Sequence, residues 1–212
     1  MWSAGLAGVA AVVAWWRVVG AGYFLLVAGT AVLLALPAAV AGYELAIGGV
    51  AALIAAGLMA RRSTYRSAAP FIAAGGLLLA VASQELGWLM SVTGAGALGA
   101  VLSEMLLGHW YLVDPRLPRR PLNRLFGIAI VGICADTAVL SASGAGPGSS
   151  PALGWAFWIL AVASVGLVVA VYFALKTPSY PGVMAATGLS YLAVLSVVGM
   201  SFVGRLLVTL AA

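Results

Sequence analysis

Long apolar runs alternate along this chain with short breaks made of charges, prolines and Gly/Ser clusters. Reading the breaks in that way yields seven apolar stretches, at roughly 14–36, 43–60, 68–90, 92–113, 121–142, 153–175 and 184–209. A helix needs roughly 20 such residues to cross about 30 Å of hydrocarbon. The pattern therefore predicts an all-α, polytopic transmembrane bundle of seven spans. No gap between the runs could hold a second folded unit, so residues 1–212 read as a single integral membrane domain. The longest break, Ser141 to Pro151, is too rich in Gly, Ser and Pro to stay helical and reads as a solvated loop. Span-to-span similarity is too weak to define an internal repeat.

The first 36 residues are apolar except for Arg17 and a few small polar residues. Two antiparallel spans joined through Arg17 alone look impossible. The reading is one span beginning near Trp15, with Trp15, Trp16 and Arg17 as an interfacial anchor. A cleaved leader is not expected, because the apolar run is too long and another apolar segment precedes the charge.

Composition strengthens the membrane assignment. The chain is 64% hydrophobic and 7% charged, against about 25% charged in soluble domains. That excludes an ordinary soluble enzyme, a disordered chain and a nucleic-acid-binding domain. The formal charge of +5 marks orientation rather than affinity for nucleic acid, because the basic residues sit in short loops. Arg61, Arg62 and Arg66 follow the second span, Arg116, Arg119, Arg120 and Arg124 follow the fourth, and Lys176 follows the sixth. The loops near Pro37–Gly42, Ser91–Gly94 and Ser141–Pro151 carry no Lys or Arg. The basic-inside rule then makes this a multi-pass protein of a bacterial-type inner membrane, N-terminus inside and C-terminus outside. The lone cysteine, Cys134, supports neither a disulfide framework nor a thiolate cluster.

Ionisable residues at membrane depth are costly and are functional hypotheses by default. Five qualify: Glu85, Glu104, His109, Asp136 and Arg205. Helical rise puts Glu85, Asp136 and Arg205 roughly 6–9 Å below the outer boundary. They could form one charged cluster lining an outward-facing cavity; the alternative is that Arg205 snorkels to headgroups and each carboxylate bonds to a neighbouring helix. Glu104 lies deepest, with Ala100, Gly108 and Tyr111 on its helical face. Desolvation there favours the neutral acid, so Glu104 is a candidate proton carrier or simply a neutral carboxyl bonded to a carbonyl.

His109 shares its face with Met105 and not with Glu104. It reads as an interfacial anchor or as a contact to a quinone or lipid headgroup. Haem would need a second axial ligand, from Met105 or another subunit; no cofactor and no metal site are expected. The loop from Asp114 to Arg124 presents Arg116, Arg119, Arg120 and Arg124 between stiffening prolines, for which attraction to anionic headgroups suffices; docking of a soluble partner is the alternative. Small-residue pairs, Gly42/Ala46, Gly96/Ala100 and Gly166/Ala170, suggest close helix approaches.

No nucleophile elbow, Walker-type loop, retinal lysine or His-Glu-x-x-His pattern is present. The expected function is a non-enzymatic integral membrane subunit of a larger, respiratory or redox-linked complex, or a homo-oligomer. It would offer a quinone- or lipid-facing surface and a proton-relay carboxylate. The competing expectations are a small-solute transporter using Glu85, Asp136 and Arg205, and a small intramembrane enzyme acting on lipid.

Overall fold

A computed structural model describes residues 1–113, 117–118, 120–148, 150–177 and 180–211, and among these there are eight α-helices and no strand. They are α1 (Trp2–Trp16), α2 (Ala21–Val40), α3 (Glu44–Ala60), α4 (Ala68–Leu86), α5 (Trp88–Val113), α6 (Arg120–Ala142), α7 (Pro151–Lys176) and α8 (Tyr180–Ala211). Six are long and apolar enough to cross a membrane, and α1 and α3 are shorter apolar helices. This indicates a multi-pass membrane protein. The count of seven spans does not hold.

The largest correction falls on the first 36 residues, which form two helices instead of one span. Arg17 adopts the left-handed conformation at φ 55° and donates its N–H to the Ala14 carbonyl. One such residue turns the chain sharply, and the four residues from Arg17 to Gly20 suffice to start α2. The Ser3 hydroxyl then donates to the Ala31 carbonyl at 2.6 Å, so α1 and α2 run antiparallel. The first residues consequently lie at the end opposite the basic loops, not beside them as the sequence suggested.

A second boundary moves for a similar reason. Gly87, at φ 73° and ψ 154°, is the single residue between α4 and α5. Only glycine adopts that geometry readily. The loop expected near Ser91–Gly94 is therefore part of α5.

Helix α1 is a core element, packed against α2, α4 and α5. Ten of its residues are buried, from Ser3 to Ala14. Helix α5 is the other central strut, touching α1, α4, α6 and α8. The two approach backbone to backbone: a Cβ on Gly5 would lie 1.9 Å from the Ala95 carbonyl oxygen, and one on Gly99 would lie 2.2 Å from the Gly5 carbonyl carbon. Gly132 of α6 also approaches a backbone, since a Cβ there would lie 2.8 Å from the Gly96 carbonyl carbon and the Ala97 nitrogen. Such crossings replace the hydrophobic effect as the cohesive force where the surroundings are themselves apolar. Gly96 thus performs the role foreseen for it. Gly42 instead forms a positive-φ turn between α2 and α3, and Gly166 faces open space.

The helices group as α1–α4 and α5–α8. In each group the first helix also packs against the last, and the groups meet mainly along α1 and α5. Two ends result. Arg17, Arg61, Arg62, Arg66, Arg124 and Lys176 mark the basic end; Tyr43, Glu44 and Glu85 mark the opposite one.

Candidate functional site

Helices α5, α6 and α8 enclose an ion pair between one and two turns inside the opposite end. Arg205 Nη2 donates to Asp136 Oδ1 at 2.9 Å, and Nη1 donates to Oδ2 at 3.1 Å. Asp136 is fully buried and Arg205 nearly so. The remaining donors and lone pairs are used locally. Nη1 also reaches the Ser201 hydroxyl and carbonyl, Nη2 donates to the Met90 carbonyl at 2.7 Å, and the Thr93 hydroxyl sits 2.9 Å from Asp136 Oδ1. Only Arg205 Nε is left without a partner. Gly94 makes the space, since a Cβ there would fall 2.2 Å from Nη2.

A buried bidentate pair of this kind is strongly held once its other bonding positions are filled. It ties three helices together.

The three-charge cluster foreseen from the sequence is therefore split. Asp136 and Arg205 meet, but Glu85 is exposed near the end of α4 and accepts a 2.7 Å hydrogen bond from Tyr43. That bond and the carboxylate charge raise the Tyr43 phenol above its usual range. Together these two residues stand at the rim of a cleft of about 470 Å³. Its walls are apolar, formed by Trp2, Leu34, Leu78, Val81 and their neighbours on α1, α2 and α4. Tyr43 was not singled out in the sequence, because it lies 42 positions from Glu85 in a short turn.

Glu104 contrasts with Asp136. It is 1% exposed, and neither carboxyl oxygen has a hydrogen-bond partner. It lines a cavity of about 10 Å³ with Gly108, Thr187 and Ser190, between α5, α6, α7 and α8. That space is about one water molecule. The adjacent Ser103 hydroxyl is also buried and unpartnered. Tyr111 does not turn toward the carboxyl as its helical spacing suggested; its hydroxyl donates to the Pro118 carbonyl.

His109 is exposed on the flank of α5, whereas the next residue, Trp110, points inward to an edge-on contact with Tyr23 at 6.5 Å. At the basic end, Arg120 is exposed at the start of α6, and the Arg124 guanidinium lies 5.5 Å from the Trp16 ring centre. Arg116 and Arg119 lie outside the described residues.

Among the described residues, a bundle of helices apolar enough to cross a membrane thus carries an internally neutralised ion pair, a solitary buried acid and an open amphipathic cleft. No protein-family model matches the chain, and no curated protein or solved structure matches it either. Its functional reading accordingly rests on the geometry.

Proposed function

We propose that the protein is a non-enzymatic membrane subunit that binds an amphiphile, a quinol or a lipid, in the cleft beside Tyr43 and Glu85. The observation that carries this reading is the cleft itself. It has apolar walls around about 470 Å³, and a carboxylate with one oxygen left for a donor headgroup. Ligand sites of that size and make-up, mostly apolar with a few placed polar groups, are common. Glu104 supplies the proton-holding group of the proposal, being buried beside a space the size of one water. The solute-transport alternative draws less support, because Asp136 and Arg205 satisfy each other and line none of the cavities described above.

The test is photolabelling of the protein in native membranes with an azidoquinone and, separately, with a photoactivatable phospholipid. Labelling of α1, α2 or α4 that falls in Glu85→Gln and Tyr43→Phe supports the reading. Equal labelling of both variants, or none in the original protein, overturns it. Isolation as a clean monomer after gentle extraction would count against the subunit role.

The orientation belongs to the same proposal. If α1 and α3 cross together with the six longer helices, all four basic turns share one side, Arg17 included, and that side is cytoplasmic. Cysteines placed at Ser63 and Ser143 should then react with an impermeant maleimide from opposite faces. Reaction from one face alone refutes the alternation.

A further inference from the structure

The basic end holds a site that neither the cleft nor the ion pair explains. The turn between α3 and α4 and the turn between α1 and α2 together form a cup of about 530 Å³. Four arginines line it, Arg17, Arg61, Arg62 and Arg66, with the hydroxyl-bearing Ser63 and Thr64 between them. None of the four has an acidic partner among the described residues, where Asp136 with Arg205 forms the ion pair. Four like charges around one concavity repel each other unless an anion sits among them.

Two details show that the cup is built and not merely a run of loop arginines. Arg17 occupies a left-handed backbone position at φ 55°, where glycine would be the least strained choice. Its guanidinium is held 4.3 Å from the Tyr65 ring centre, and Tyr65 in turn packs on Trp15 at 5.3 Å. The aromatic pair therefore fixes one cation from α1 over the turn that carries the other three.

What lies beside the cup indicates the ligand. Trp15 and Val12 on α1, and Leu58 and Ile54 on α3, are large apolar side chains exposed on the flanks that lead away from it. A soluble anion makes no use of such flanks, whereas acyl chains attached to a phosphate do. We infer that this cup is a specific site for the phosphate headgroup of an anionic phospholipid in the leaflet at the basic end. The inference is independent of the amphiphile cleft, which lies at the other end of the bundle.

The test is native mass spectrometry of the intact protein, released from a neutral detergent with added phosphatidylglycerol or phosphatidylcholine. Phosphatidylglycerol should be retained in preference, with retention about fivefold weaker for each cup arginine removed. Arg17→Gly is the informative variant, because glycine suits the left-handed backbone there and removes the cation without straining it. Arg61→Gln/Arg62→Gln gives a second reading should Arg17→Gly fail to fold. Unchanged retention in a folded variant overturns the site, as does equal retention of phosphatidylcholine. Equal loss in Arg120→Gln/Arg124→Gln would replace the cup with diffuse attraction to the whole basic end. Displacement of the lipid by millimolar inorganic phosphate would identify a soluble anion as the ligand instead.

Discussion

Asp136 and Glu104 are both acidic, both buried and both on helices that pack around the same bundle, yet their surroundings are opposites. Asp136 has a guanidinium and two hydroxyls within reach. Glu104 has two bare oxygens and a space for one water. A carboxylate whose bonding positions are all filled by the fold works as a structural joint. A carboxyl that the fold leaves unpartnered, beside a water-sized space, ties no helices together. Their helical positions are as far apart as their roles: Thr93 and Glu104 on α5 are separated by about 16 Å of helical rise.

Replacing one partner of the ion pair tests the contrast most severely. Asp136→Ala strands Arg205 in the interior and should cost about 3–5 kcal/mol. Thermal unfolding in detergent reads that loss. The double variant Asp136→Leu/Arg205→Leu should recover most of it, since no charge is then buried alone. A double variant as unstable as the single one would mean that the pair does more than neutralise itself.

Gly94→Ala probes the same joint more gently. The added methyl falls where Nη2 lies, so the guanidinium must shift, and overpacking of this kind costs about 1–3 kcal/mol. No change in melting temperature would show that Arg205 has a second resting place.

Glu104→Gln should have the smallest effect on folding. An amide of nearly the same shape replaces a carboxyl that has no hydrogen-bond partner to lose, and the change in stability should stay below about 1 kcal/mol. A large loss would reveal a charged Glu104 with a partner, and the comparison with Asp136 would collapse. If the fold is unaffected, any loss of proton-linked function in this variant belongs to the carboxyl itself.

Much of the architecture was legible in the residues. Apolar run length located α4, α6, α7 and α8 to within a few residues, because crossing an apolar medium demands length and little else. The depth argument placed Asp136 and Arg205 at one level, and they do pair. It failed for Glu85 because depth along a span says nothing about which way a helix faces, and because Tyr43 offered a nearer partner at the rim. The small-residue reading found Gly96 but missed Gly5, which lies before the span expected to begin near Trp15.

The misreading of α1 has the same root. Fifteen apolar residues look too short to span and too plain to matter. A left-handed turn at an arginine is not a pattern that periodicity reveals. The tight meeting of Gly5 with Ala95 and Gly99 depends on two segments about ninety residues apart in the chain.

By itself, then, the sequence determined the helical class, the helices apolar enough to cross a membrane and the residues whose charge had to be accounted for, since these follow from local composition and the energy of transfer to an apolar phase. Only the tertiary structure decided that α1 is the core, that Asp136 is neutralised while Glu104 is left alone, and that four arginines from two turns share one cup. Those outcomes depend on helix rotation and on contacts between distant segments, which no local pattern encodes.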